Sequence, residues 1–397
     1  MLKSLLAGTA LSLALSMSPA LAQKATVGVT ATEIKVGQSA PFSGPASAYG
    51  QISTAESDYF KMINEQGGIN GRKINLIALD DGYSPPKTME VVRRLIEEEH
   101  VAILFQTIGT APNVAIRTYT NQKKVPDIWL GSGASIFVEN PKKYPWSIPF
   151  QPSYRLEGQM YGKYILDKKP NSKVAVLYQN DDLGRDYVKG LKDALGDKYN
   201  KMVVKSLSYE VTDPTIDSQI VELQASGADV LFDASTPKFA AMSIRKVADL
   251  NWHPVHIIDS NGALVKPALT SAGLDKSVGV ITAQYLKDPT DPGWADDAGM
   301  KEFQAWRAKY APESDPANPV WAYGYTMAQA LVVVLKQAGN DLSRENIMRA
   351  ATHLPNTTKL PMVLPGIEIS TSPSDFRPMK SMRLVQFDGK MFRLIPD

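Results

Sequence analysis

Three stretches of this chain gather small and hydroxyl-bearing residues where a backbone could hold an anion: residues 40–50, 106–110 and 131–135. The first, Ala40-Pro41-Phe42-Ser43-Gly44-Pro45-Ala46-Ser47-Ala48-Tyr49-Gly50, follows a short apolar run and precedes a helical pattern. Such a loop leaves N–H groups unpaired at a helix N-terminus, and those attract negative charge. Taken alone it reads equally as a tight connection whose Gly and Pro serve geometry only. Reactive groups are scarce. The four histidines are His100, His253, His256 and His353. His253 and His256 stand three apart, but at a strand start with Pro254 between them, so two ordinary loop histidines are expected there and no metal site. The acidic pairs Asp80-Asp81 and Asp181-Asp182 fall at strand ends, where carboxylates serve as solvated turn formers. No G-x-S-x-G elbow, Walker loop or G-x-G-x-x-G occurs. With no cysteine there is no thiol nucleophile, thiol ligand or disulfide. Binding without chemistry is the expectation: no enzyme, no cofactor, no metal.

The elements that must position these loops begin after a leader. Lys3 supplies a basic start, residues 5–17 an apolar core, and Ala20-Leu21-Ala22 the small-x-small pattern before a cut at Gln23. Residues 1–22 therefore read as a secretory signal peptide, and a periplasmic location is expected. No cysteine follows the apolar core for a lipid anchor, and no later run approaches the ~18 apolar residues of a span. A chain of 397 residues exceeds what one core usually serves, about 250–300 residues, so two lobes are expected. The formal net charge is +2 and no basic block appears, which argues against nucleic acid as a partner.

From Ile34 onward, strand and helix patterns alternate. Residues 34–37, 74–79, 101–105 and 128–130 read as strands, with helices from Gly50, from Pro85 and over about 111–120. In the first helix Ile52, Ala55, Tyr59, Met62 and Ile63 share a face. This order argues for a parallel sheet with helices on both faces, whose ligands sit beyond the carboxyl ends of the strands. All three small-residue loops lie at that end. A Pro-rich passage, 141–152, breaks the rhythm and reads as a crossing between lobes. A second series follows, with strands at 174–178, 202–207, 230–232 and 256–258 and helices between them. Residues 278–285 read as a strand that crosses back. The helices 297–310 and 321–337 come next; in the latter, Trp321, Tyr325, Ala328, Leu331, Val332 and Leu335 fall at core spacing. Two short strands around Asp388-Gly389 form a terminal hairpin.

Several motifs in this order resemble the periplasmic branched-chain amino-acid-binding family (leucine/isoleucine/valine type), solute receptors of ABC transporters. They are Ser43-Gly44-Pro45 with Tyr49-Gly50, Ile63-Asn64-Glu65-x-Gly67-Gly68-Ile69-x-Gly71-Arg72, Val125-Pro126, and Leu286-Lys287-Asp288-Pro289-Thr290-Asp291-Pro292. The resemblance implies the type I periplasmic binding fold: α/β, with two doubly wound Rossmann-like lobes, a hinge and an interlobe cleft. It places lobe 1 at 26–148 plus 284–380 and lobe 2 at 149–283 plus 381–397. It further implies a monomer that closes on a small carboxylate and presents it to ABC permease subunits. In the first lobe, hydroxyls and N–H groups of loops 106–110 and 131–135 would hold the ligand carboxylate, and an aromatic residue would lie over it. This nominates Tyr49, Thr107, Gly109, Thr110, Gly133 and Ser135.

The second lobe departs from the family pattern. Leu183 stands nearest to a position where amino-acid binders have tyrosine, and Asn261 where an acid takes the ligand ammonium; Asp259 lies two positions away. A buried ammonium without a carboxylate partner would cost several kcal/mol. The departure favours an aromatic or short aliphatic acid without the α-ammonium over a branched-chain amino acid. Tyr154, Gln179, Ser235 and Tyr285 complete the second-lobe candidates, while Arg155 reads as a solvated helix-start residue. A ligand-sensing receptor that presents its closed form to a signalling partner is the alternative function.

Overall fold

Runs of apolar residues with small or polar neighbours become strands here because helices cover both faces of each sheet. In the computed structural model, which describes residues 26–396, the first sheet holds β1 (Glu33–Ala40), β2 (Lys73–Asp80), β3 (Ile103–Phe105), β4 (Asp127–Leu130) and β5 (Ser147–Pro149). Their order is β2-β1-β3-β4-β5 and every pairing is parallel. The leader expected at residues 1–22 lies outside the described residues.

The second sheet holds β6 (Val174–Gln179), β7 (Val203–Tyr209), β8 (Val230–Ala234), β9 (Val255–Ile258), β10 (Ile281–Gln284), β11 (Arg383–Phe387) and β12 (Phe392–Leu394). Its order is β12-β11-β10-β9-β8-β6-β7. The first five of these strands run parallel, and β11 and β12 join antiparallel as the hairpin around Asp388-Gly389. The architecture is thus two α/β sheets with helices, the first wholly parallel and the second parallel up to its terminal hairpin, in line with the expected α/β fold.

Two segments differ from the pattern read in the sequence. The Pro-rich passage contains β5, which pairs with β4 before the chain leaves the first sheet. Three residues are too short to show a period. Likewise, β10 belongs wholly to the second sheet, and the return follows it. The returning helices Ala298–Tyr310 and Val320–Ala338 join the core of the first sheet. Val320–Ala338 packs against Gly50–Glu65, with Gly324 allowing close approach: a Cβ there would lie 2.6 Å from the Ile52 carbonyl oxygen. A further helix, Arg344–Ala351, completes this layer and was not read from the sequence. The chain therefore passes between the sheets three times, after β5, after β10 and before β11.

Candidate functional site

Where β1, β2, β3 and β4 end, the chain that follows them faces the chain that follows β6 and β9, and a cavity of about 140 Å³ lies between them. Of the residues nominated from the sequence, Tyr49, Gly109, Thr110, Tyr154, Asn261 and Tyr285 line it. Tyr49 ends a short 3-10 turn, Ser47–Tyr49, just before the helix Gly50–Glu65. Its hydroxyl donates across the cleft to the Asn261 carbonyl oxygen at 3.1 Å.

The remaining five nominees face elsewhere. Thr107 is fully buried, and its carbonyl receives the Gly131 N–H at 2.8 Å and the Asn113 side chain at 2.6 Å. Gly133 lies against the Tyr154 ring. Ser135 gives its N–H (2.9 Å) and hydroxyl (2.5 Å) to Asp186, tying the loop after β4 to the helix Asp182–Leu195. Gln179 donates to Asp181 at 2.6 Å and accepts from the Tyr209 hydroxyl at 3.2 Å. Ser235 is buried and donates its N–H to Asp259 at 2.7 Å. Arg155 pairs with Asp193 at 2.5 Å and does not line the cavity.

Residues not anticipated from the sequence supply much of the wall: Tyr83, Gln106, Gln151, Ser260 and Tyr323. Tyr83 (φ 60°) and Gln106 (φ 49°) hold left-handed backbone conformations, a strain that recurs at functional loops. A polar chain runs along the wall. The Gln106 side chain donates to the Tyr323 hydroxyl at 3.2 Å, and that hydroxyl donates to Gln151 at 3.0 Å. Gln151 in turn donates to the Tyr154 hydroxyl at 2.9 Å. Tyr323 had one signal: it falls off the apolar phase of its helix, between Trp321 and Tyr325.

The charges around the cavity are mostly satisfied internally. Asp259 is fully buried and accepts the N–H groups of Ser235, Asn261 and Gly262 together with the Asn261 amide. Glu157, also buried, accepts from Tyr161 (2.5 Å), Tyr187 (2.9 Å), and the N–H and hydroxyl of Ser260 (2.7 and 2.9 Å). Burial raises both carboxyls above the ordinary carboxylate range, and their mutual repulsion raises Asp259 further. Lys287 lines the cavity, but its ammonium is held by Asp297 (2.6 Å) and the Pro361 carbonyl (2.7 Å). Asp288 bonds the N–H and hydroxyl of Thr290 through Oδ1, while its Oδ2 is buried without a partner. Burial also pushes the phenols of Tyr49, Tyr83, Tyr154, Tyr285 and Tyr323 above their ordinary range, so they remain hydrogen-bond donors.

Apolar wall is provided by Ile52, Leu264, Val265 and Val320. A cavity of about 150 Å³ admits a benzene-sized molecule, which sets the scale of what fits. His253 is exposed and bonds Asn251, and His256 is buried beside Asp233 and Ser243. Among the described residues no group of three or more His, Cys, Asp or Glu is arranged to hold a metal ion. No helix among them is long and apolar enough to cross a membrane.

Comparison with known proteins agrees with this two-sheet geometry. Residues 33–391 match the family model described as periplasmic binding protein. Leu/Ile/Val-binding protein homolog 1 of Brucella abortus is 26% identical over 79% of this chain and 81% of its own length. The fold is shared with a branched-chain amino acid ABC transporter protein from Thermus thermophilus with bound valine, at TM-score 0.81 and 17% identity, covering 92% of this chain and 96% of that one. It is shared also with a fatty acid ABC transporter substrate-binding protein from Thermomonospora curvata, at TM-score 0.78 and 18% identity, covering 94% and 93%. Matched from β1 into the last hairpin and built as two largely parallel sheets around a cleft, the chain belongs to the periplasmic binding protein family.

Proposed function

We propose that this protein is the extracytoplasmic receptor of an ABC importer, exported by a leader cut after Ala22, and that it acts as a monomer. Its two lobes, 26–148 with 284–380 and 149–283 with 381–397, close by a hinge on a small carboxylate and present it to permease subunits. The favoured solute is an aromatic or short aliphatic acid without an α-ammonium. One observation carries this preference: Asp259 is turned inward onto N–H groups, and Asn261 takes its place at the cavity wall. An amide offers an ammonium no counter-charge, and an unpaired buried charge is costly. The relatives named for leucine, isoleucine, valine or fatty acids all point to solutes that carry a carboxylate.

A second reading rests on Asp288, which lines the cavity and whose Oδ2 is buried without a partner. It would receive an ammonium if the solute were an amino acid. A thermal-shift panel separates the two. Benzoate, phenylacetate and 3-methylbutanoate are expected to raise the melting temperature more than leucine does, since a solute at 100-fold over its Kd adds about 2.7 kcal/mol. Tighter calorimetric binding of leucine than of any of these acids overturns the first reading. Loss of that leucine binding in Asp288→Asn would establish the second.

A further inference from the structure

The two loops expected to hold a carboxylate on their own N–H groups are each covered by a tyrosine ring. Gly109, whose φ is +110°, lies so close to Tyr83 that a Cβ would stand 2.5 Å from its ring. At Gly133 a Cβ would stand 2.7 and 2.8 Å from the Tyr154 ring. The Cβ side of each loop glycine thus faces a tyrosine ring, and at Gly133 the Pro152 carbonyl oxygen, 2.3 Å away, closes it further. The Tyr83 hydroxyl lies beside the Gln179 side chain and the Thr110 N–H, and that of Tyr154 lies beside the Gly133 N–H and the hydroxyls of Ser132 and Thr110. Neither ring is loosely placed. Tyr154 stacks on Tyr187 with centroids 4.7 Å apart, is 3% exposed, and receives the Gln151 side chain at 2.9 Å. Tyr83 is 4% exposed and is held in a strained backbone conformation.

We infer that Tyr83 and Tyr154 are the groups that receive the solute's carboxylate, relaying the loop N–H groups into the cavity through their hydroxyls. The inference rests on the carboxylate reading proposed above. A phenol oxygen that faces N–H donors keeps its own proton to donate, and a chain N–H···O–H···carboxylate is polarised at each link. Hydrogen bonds to a charged acceptor are also the stronger kind. The acid group therefore sits one phenol further from the loop backbone than direct N–H contact would place it. This shortens the space left for the rest of the solute, in keeping with the small cavity.

Calorimetry of benzoate, phenylacetate and 3-methylbutanoate against the wild type, Tyr83→Phe and Tyr154→Phe tests the relay. Each substitution keeps the ring and removes the hydroxyl. Affinity is expected to fall about tenfold or more in each, beyond any change in the ligand-free melting temperature, which is measured alongside. In the wild type, the labelled ring-carbon signals of both tyrosines should shift when the bound acid is added, a readout independent of variant folding. Unchanged affinity would mean that the loops hold the acid without the phenols. Tighter binding would mean that the phenols block the loops. Either overturns the inference. If the wild type binds none of the three acids, the carboxylate reading itself falls and takes the relay with it.

Discussion

Asp127 is a buried carboxyl that no solute explains. It opens β4, is 1% exposed, and its Oδ1 has no partner. Burial pushes it up to about 8, with only the Thr107 side chain opposing. A carboxyl raised in the folded state stabilises the fold below the ordinary carboxylate range and loses that contribution as pH climbs toward its folded pKa. Wild-type stability should therefore decline between pH 5 and 8, by at most about 1.4 kcal/mol per pH unit from this one group. Asp127→Asn keeps shape and hydrogen-bonding capacity without the titration. Its melting temperature is expected to fall less than that of the wild type over the same range. Parallel curves for the two proteins would show that Asp127 ionises freely in the fold.

At the scale of elements, the site depends on how two helices meet. The helices Tyr154–Lys168 and Asp182–Leu195 carry Tyr154 and Tyr187, and three glycines let their backbones touch. A Cβ would lie 2.4 Å from the Tyr187 carbonyl oxygen at Gly158, 2.6 Å from the Ala194 Cβ at Gly162, and 2.2 Å from the Arg155 carbonyl oxygen at Gly190. Alanine is normally the better helix residue by roughly 0.5–1 kcal/mol. Here the clash should win. Gly190→Ala is expected to lose about 1–3 kcal/mol in urea unfolding and to weaken acid binding through displaced tyrosines. A more stable Gly190→Ala protein would refute the close contact. The helix and strand series themselves were legible in the sequence, because apolar spacing reports which face is buried. The wall was legible only in part. Tyr49, Gly109 and Thr110 sit in loops marked by their small residues, whereas Tyr83, Gln151 and Tyr323 come from separate elements that only the fold brings together. Ser135 shows the converse: its type suited a solute, but Asp186, 51 positions later, takes its donors. No local spacing announces such a partner.

At the scale of the whole molecule, three crossings join the lobes, and only differential contacts can bias them toward closure. At the cleft mouth Gly44, Ser47 and Ala48 face Thr212, Pro237 and Lys238. Deeper in, the Tyr49 hydroxyl donates to the Asn261 carbonyl and bridges the two sheets' loops. Because the chain has no cysteine, cysteines introduced at Ser47 and Lys238 can be labelled without background. The distance between a donor and an acceptor dye at those positions should shorten on addition of benzoate. Tyr49→Phe removes one neutral hydrogen bond worth about 0.5–1.5 kcal/mol. It should move the closing equilibrium toward the open form by about 2- to 12-fold without abolishing binding, since no other wall contact is lost. If calorimetry shows binding while the dye distance stays constant, solute capture proceeds within lobes already fixed in place, and the hinge is not part of the mechanism.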